Sequence, residues 1–186
     1  LSIAMILKKA SKGKIDLITK STEILNQTKK NINAYKFDSS KENNLGQEQH
    51  LIKNLKRTFL ILINLSFQKY GTKIEFQQQI LMNMADILID IYLAESVYLR
   101  VMKNLKELDD NEAIVQKSLV ILYTYESCQR AINSFKEVTL NVTKSKEQHD
   151  MIEIVNNLLS YKYNPDIVEL RRIVAKYAIQ KNKYPF

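Results

Sequence analysis

The stretch QILMNMADILIDIYLAES, residues 79–96, decides the fold class because it has the apolar periodicity of a long helix. It lies within a segment from about Glu75 to about Leu105 that contains neither glycine nor proline. Its main apolar face repeats every three or four residues and consists of Ile80, Met84, Ile87, Ile91, Ala94, Tyr98, Val101, Met102 and Leu105. The opposite face also carries Ile89, Leu93 and Val97. We therefore expect neighbouring helices to cover this central helix on both sides.

The composition of the whole chain favours long helices. Hydrophobic residues make up 45% of the 186 residues, whereas there are only 3 glycines and 2 prolines. Chains rich in strands and turns need far more of both residue types. The five lie between predicted helices, at Gly13, Gly46, Gly71, Pro165 and Pro185. No apolar run approaches the roughly 18 residues of a membrane-spanning helix.

We predict an all-α fold in two parts. Residues 1–46 form an N-terminal basic helical arm, with one helix to about Lys12, another from Asp16 to about Ile32, and a polar linker to Gly46. Residues 47–186 form an antiparallel bundle of about five helices joined by short loops. Three helix starts are predicted from capping patterns: Asp109 with Glu112, Ser145 with Gln148, and Asn164 before Pro165.

The chain contains none of the motifs that indicate catalysis. There is no glycine-rich phosphate loop, no GxSxG elbow, no HExxH and no CxxC pair. The single cysteine, Cys128, excludes an internal disulfide, fits a reducing compartment and is expected to be structural. The strings Glu48–His50 and Glu147–His149 place Glu and His two apart, unlike metal-binding Glu-x-x-His pairs, so we expect both to be exposed. We predict no catalytic, cofactor or metal site in this chain.

Acidic side chains on the central helix indicate ionic contacts between helices. Asp86 and Asp90 are four residues apart and share a face of the helix, and Arg100 lies on roughly the same side as Asp86. They could serve as an acid/base or metal-binding pair, but an ionic seam against another helix is the simpler interpretation. Glu95 lies on the opposite side, either at the rim or buried with a partner. For the buried case we hypothesise a contact between Glu95 and Arg130 of the next helix, with Tyr123 and Tyr125 as other candidates.

The net charge of +8 is concentrated in the arm, where residues 1–36 hold eight lysines against two acids. Lysine rather than arginine dominates and no recognition motif is present, so we predict no nucleic-acid partner. Three interpretations of the arm stay open: a solvated surface, contact with a partner chain, or contact with an anionic membrane surface. The membrane interpretation uses the lysines beneath Leu1, Met5 and Ile6, namely Lys8, Lys9, Lys12 and Lys14.

Residues 79–96, followed by Leu99 and Arg100, resemble the C-terminal region of large bacterial acyl-CoA dehydrogenases of the very-long-chain type. The ending, residues 169–173 and 182–186, and the start, residues 7–13, also resemble that family. The resemblance implies that FAD and the catalytic glutamate belong to a preceding dehydrogenase core. The glycine-rich flavin motif and the Tyr-Glu-Gly-Thr segment of that core are absent, and residues 131–140 contain no glycine. No family catalytic residue is therefore carried over. The resemblance implies a structural role for the matching residues, Asp86, Asp90, Tyr92, Glu95 and Arg100.

The function implied is that of a non-catalytic C-terminal domain of an FAD-dependent enzyme of fatty-acid β-oxidation. The domain would support packing on the dehydrogenase core, homodimerisation or membrane association, and would be cytoplasmic or peripheral at the inner membrane. The alternative is a freestanding helical module that binds a protein or a membrane and has no enzymatic activity.

Overall fold

A computed structural model describes residues 3–30, 37, 45–105 and 107–181 of the chain. Over these residues the fold is all-α, which confirms the predicted class. The α-helices are α1 (Ile3–Ser11), α2 (Leu17–Lys30), α3 (Gly46–Tyr70), α4 (Gln78–Asn104), α5 (Asp110–Val142), α6 (Ser145–Leu158) and α7 (Ile167–Lys181). A 3₁₀ helix, Gly71–Phe76, joins α3 to α4, so the central helix begins a few residues later than predicted. Most of the predicted linker, and the tail beyond residue 181, lie outside the described residues.

Helices α3, α4 and α5 pack against one another and form the centre of the bundle. Helix α2 packs on α3, α6 packs on α5 and α3, and α7 packs chiefly on α5. Side-chain pairs between α4 and α5 run in opposite directions, since Asn83 contacts Glu137 and Asp90 contacts Arg130. These two helices are therefore antiparallel, as the short loop between them predicts.

The centre of α3 is buried on all sides, as its nearly continuous apolar sequence predicts. Every residue from 61 to 66 is buried. The main hydrophobic core also includes Met84 and Ile87 of α4 and Phe135 of α5, each at most 1% exposed. A fully buried side chain of this size contributes roughly 1.5–3 kcal/mol relative to an exposed one. The inner face of α4 thus lies in the core, in agreement with its apolar periodicity.

The arm helices α1 and α2 pack on the bundle. Ile3, Leu7 and Leu25 belong to the same core cluster as α3 and α4. The buried amide of Asn64 in α3 donates to the hydroxyl oxygens of Ser21 and Thr22 in α2, at 3.3 and 2.8 Å. The described arm helices therefore share the core of the bundle. The division into an arm (1–46) and a bundle (47–186) stays a prediction.

One of the three predicted helix caps is confirmed and two are wrong. The Glu112 amide donates to the Asp109 carboxylate at 2.8 Å, as the capping pattern predicts. Helix α6 instead has Lys144 as its N-cap without a side-chain bond, and the Gln148 amide donates back to the carbonyls that end α5. At α7 the acceptor for the Glu169 amide is the Asp166 carboxylate, at 3.0 Å, rather than Asn164. The Asp166 carboxylate, two residues after Asn164, is ionised and is therefore a stronger acceptor than an amide oxygen.

Candidate functional site

The candidate site is an ionic network centred on Asp90 of α4. The Asp90 side chain is 8% exposed, and Arg130 of α5 holds its carboxylate. The Arg130 guanidinium donates from Nη2 to Oδ1 at 2.6 Å and from Nε to Oδ2 at 3.0 Å. The hydroxyls of Tyr123 and Ser127 each lie 3.4 Å from Oδ1. Bidentate bonding of this kind fixes the orientation of both groups, so the network sets how α4 sits on α5.

Arg130 extends the network towards α7. Its Nη1 lies 3.8 Å from Glu126 one turn earlier, and Glu126 accepts a 2.7 Å bond from Arg171 of α7. The guanidinium also lies 5.6 Å from the centroid of the Tyr123 ring, within range of a cation–π contact. Hydrogen bonding to Asp90 raises the pKa of Arg130, and burial raises the pKa of Tyr123. Three helices are joined by this chain of charges.

The hypothesised contact between Glu95 and Arg130 is wrong. Glu95 accepts a 2.5 Å bond from Lys56 of α3, while Arg130 is engaged by Asp90. The reason is geometric: Asp90 and Glu95 are five residues apart, about 140° around the helix at 100° per residue, so they face different neighbours. Both side chains of the Lys56–Glu95 pair are more than 40% exposed, which limits its contribution to stability.

Asp86 and Arg100 are exposed on the outer face of α4. Neither takes part in an ion pair within the described part of the chain. The predicted seam of Asp86, Asp90, Glu95, Arg100 and Arg130 is therefore distributed over three surfaces. Asp90 and Arg130 form the contact with α5, Glu95 faces α3, and the other two face outwards. A common functional role for all five stays a prediction.

Glu48 is a buried carboxylate that the sequence interpretation placed at the surface. It lies in the first turn of α3 and is only 5% exposed, and His50 is half-buried, so the predicted exposure of this string is wrong. Burial raises the pKa of Glu48, while a hydrogen bond from its own backbone amide acts in the opposite direction. Its charge also raises the pKa values of Tyr98 and Tyr161, after the larger effect of their burial. Of the second string, Glu147 and His149 are exposed, as predicted.

Cys128 lies in the core and is fully buried. Burial, with the charges of Asp90 and Glu48 nearby, raises the pKa of its thiol to about 12. A nucleophilic or metal-binding cysteine requires the thiolate, which this environment disfavours. The location therefore agrees with the predicted structural role.

The four lysines predicted to contact an anionic surface are all exposed, and one of them, Lys8, lies 3.6 Å from Glu75. The apolar face of α1 points into the core through Ile3, Leu7 and Ala10. Of the apolar residues that the membrane interpretation used, Met5 is 51% exposed, Ile6 packs against the core, and Leu1 lies outside the described residues. Membrane contact stays a prediction, and electrostatic attraction would have to supply most of the binding free energy.

The described residues include no group of three or more His, Cys, Asp or Glu side chains placed to hold a metal ion. None of the helices in the described ranges has the length and hydropathy needed to span a membrane.

The fold and the network together define a helical bundle domain whose charged residues join its own helices. A family model described as "Acyl-CoA dehydrogenase, C-terminal domain" matches residues 54–157, more than half of the chain. The chain belongs to this family.

Two known proteins are similar over nearly the whole chain. A relative from Bacillus subtilis (strain 168), "Probable acyl-CoA dehydrogenase", is 29% identical over 177 residues, which cover 95% of this chain and 27% of the relative. A crystal structure of an acyl-CoA dehydrogenase complexed with FAD, from Bacillus anthracis, has a TM-score of 0.83 at 24% identity. The match covers 98% of this chain and 30% of that one, and it supports the fold. The chain thus spans less than a third of the length of either protein.

Proposed function

We propose that this chain is the non-catalytic, C-terminal helical domain of an FAD-dependent acyl-CoA dehydrogenase acting in fatty-acid β-oxidation. Its role is to pack on the dehydrogenase core and to support dimerisation. The observation that carries the proposal is the alignment with the Bacillus subtilis relative, which uses 95% of this chain but only 27% of the relative. The dehydrogenase core is the partner implied by the remaining length.

The reactive groups of the chain support a non-catalytic role. The Asp90 carboxylate is held by Arg130, the Glu95 carboxylate bonds Lys56, and the Cys128 thiol is buried. A general base or nucleophile needs a free position towards substrate, whereas these groups are bonded to a basic side chain or buried.

The open groove along α6 does not suit FAD. This groove has a volume of about 690 Å³. It is lined by Glu147, Asp150 and Glu153 as well as by Lys29 and Lys146. Its three carboxylates outnumber its two lysines, and Lys29 is paired with Glu147 at 3.1 Å. The groove therefore lacks the basic cluster at which the pyrophosphate of a dinucleotide normally binds. We therefore assign FAD to the proposed dehydrogenase core and not to this domain.

The test compares three proteins: the full reading frame that contains this chain, the same polypeptide without residues 1–186, and the 186-residue chain alone. We expect stoichiometric flavin, bleached by a long-chain acyl-CoA, in the first protein, and a colourless 186-residue chain. The polypeptide without the domain should keep flavin but lose thermal stability. Stoichiometric FAD on the 186-residue chain would contradict the proposal. A reading frame without any flavin-binding core would favour the freestanding binding module.

Membrane association is a second candidate role, favoured by the four exposed lysines of the arm, and it would place the protein at the inner membrane rather than free in the cytoplasm. Because the apolar face of α1 is buried, we expect weak binding that salt abolishes within roughly the physiological range. Sedimentation with anionic vesicles at low salt tests this role, with neutral vesicles as the control. Absence of pelleting with either vesicle would remove the membrane role and leave the packing role intact.

A further inference from the structure

Helix α7 lies outside the hydrophobic core of the bundle. All 15 of its residues are described and none is buried, whereas even the nine-residue α1 buries Ile3, Leu7 and Ala10. Neither core cluster of the described residues contains a side chain of α7. Its inward apolar side chains are only half-buried, namely Ile167, Leu170, Ile173, Val174 and Tyr177. Because hydrophobic stabilisation scales with the apolar area removed from water, apolar packing holds α7 less firmly than the other helices.

Polar contacts near both ends of α7 attach it to α5, the helix on which it chiefly packs. Near the start of α7, Arg171 donates to the Glu126 carboxylate at 2.7 Å. Near its end, the Tyr177 hydroxyl and the Lys181 ammonium donate to Glu112 at 2.9 and 3.3 Å. Glu112 and Glu126 are 14 residues apart on α5, about 21 Å along the helix. The two acids therefore clamp α7 at well-separated points.

The contact between the two helices is loose beside the Glu112 clamp. A groove of about 470 Å³ runs there between the first turns of α5 and the last turns of α7. Its apolar walls are Ile114 and Val115 of α5, and Ile173 and Tyr177 of α7. Close-packed protein interiors leave few voids larger than a water molecule, so this contact is not packed like the core. Withdrawal of α7 would leave the apolar strip of α5 facing water.

The segment before α7 is held to the bundle and can serve as a fixed pivot. The Gln47 side chain of α3 accepts hydrogen bonds from the amides of Lys162 and Tyr163, both at 3.1 Å. Its amide nitrogen also donates to the Tyr163 carbonyl at 3.1 Å. Residues 164–166, which follow, have no regular secondary structure. A change of backbone angles in these three residues would move α7 without disturbing the helices before it.

We propose that α7 is a strap that opens from α5 as one unit while α3, α4 and α5 stay packed, and that Glu112 and Glu126 hold it closed. The clamping side chains Arg171 and Lys181 are 61% and 44% exposed, so salt can screen both contacts. The Debye length falls from about 10 Å at 0.1 M salt to about 3 Å at 1 M. The closed state therefore weakens as ionic strength rises, and the open state makes the apolar strip of α5 available to another molecule. The strap needs no dehydrogenase core, so its test is separate from that of the proposed function.

Native-state hydrogen exchange of the 186-residue chain, followed amide by amide by NMR, measures the opening of α7. We expect the hydrogen-bonded amides of residues 171–181 to exchange at least roughly a hundredfold faster than the core amides of α3, because local opening costs less than global unfolding. These amides should share one degree of protection, as a unit that opens together requires. In 1 M sodium chloride the exchange of α7 should speed up several-fold, roughly as far as loss of both clamps would speed it, while the core of α3 stays unchanged.

A pair of charge-matched variants tests the clamps. Arg171→Gln/Lys181→Gln removes both, and each exposed ion pair changes an equilibrium by a factor of about 1.5–5, so α7 should open roughly two to twenty times more often. The control, Arg172→Gln/Lys176→Gln, removes the same charge from the same helix and leaves both clamps in place. Arg172 pairs with Glu169 of α7 itself, at 3.6 Å. The control should change the opening by less than about twofold. Salt should speed opening in the control but no longer in the clamp variant.

The outcomes separate a strap from other behaviour of α7. Protection of α7 equal to that of α3 would overturn the strap, because α7 would then open only when the whole chain unfolds. A steady loss of protection towards residue 181 would show fraying from the end and would overturn opening as one unit. Opening that responds neither to the clamp variant nor to salt would overturn the role of Glu112 and Glu126. Circular dichroism verifies that both variants fold, and the salt response of the parent chain tests the clamps without any substitution.

Discussion

Replacement of Arg130 by methionine is the sharpest test of the ionic network. The substitution removes the group that donates three hydrogen bonds of 2.6–3.2 Å to Asp90. It leaves the Asp90 carboxylate, on a side chain that is only 8% exposed, at the contact of α4 with α5. Loss of one partner from a fully buried ion pair costs about 3–5 kcal/mol, because the other charge stays buried and unpaired.

The expected cost for Arg130→Met is lower than that limit, for two reasons. The Arg130 side chain is 48% exposed, so water can reach the Asp90 carboxylate once the guanidinium is gone. The hydroxyls of Tyr123 and Ser127, each 3.4 Å from Oδ1, can also move closer and donate. We therefore expect the free energy of unfolding to fall by about 2–3 kcal/mol.

Urea denaturation followed by circular dichroism measures this loss as a lower midpoint with an unchanged slope. The matched control is Arg172→Met, which breaks an exposed pair with Glu169 at 3.6 Å and should cost less than about 0.5 kcal/mol. The double variant Asp90→Leu/Arg130→Met should recover most of the loss, since a buried ion pair can be replaced by apolar residues at little cost. Equal stability of Arg130→Met and Arg172→Met would refute the reasoning.

Three further predictions concern groups outside that pair. Glu95→Gln should change the free energy of unfolding by less than about 1 kcal/mol, because the exposed contact with Lys56 contributes little; a larger loss by urea denaturation would show that the contact is desolvated in solution. Burial raises the pKa of Glu48 above its ordinary value of 4.5, so its contribution to stability is fully present below that value and is lost as pH rises through the folded pKa. Glu48→Gln should thus be more stable than the parent at neutral pH, and the difference should vanish in urea titrations near pH 4; a constant difference would count against it. The Cys128 thiol should react with a disulfide reagent only in denaturant, and rapid labelling of the native chain would contradict its buried position.

The sequence predicted the helices well because their signals are local. The periodicity of residues 79–96 and the scarcity of glycine identify α4, and the Asp109 cap acts over three residues. The caps at α6 and α7 could not be predicted, since α6 begins after Lys144 without any side-chain cap and the capping acceptor at α7 is Asp166 rather than Asn164. Choice between such alternatives depends on the path of the loop, and local patterns do not contain that path.

The candidate site was less predictable because its contacts join residues far apart in the chain. Asp90 meets Arg130, 40 residues away, and Glu95 meets Lys56, 39 residues away. Spacing placed Asp90 and Glu95 on different sides of α4, but it could not tell which helix lies on each side. For the same reason the burial of Glu48 in the first turn of α3 was missed, since a solvated acid is the ordinary residue there.

The contacts on its flanks explain why α4 keeps a fixed orientation with Ile89 and Leu93 exposed, where the sequence led us to expect covering helices. Asp90 ties one flank to α5 and Glu95 ties the other to α3, about 140° apart around the helix. The core packing of Met84 and Ile87 lies between these two flanks. A helix held in three directions cannot rotate to hide its remaining apolar residues, so Ile89 and Leu93 stay outside. Exposing them has a cost in solubility, which the proposed dehydrogenase core would remove if it covered this face.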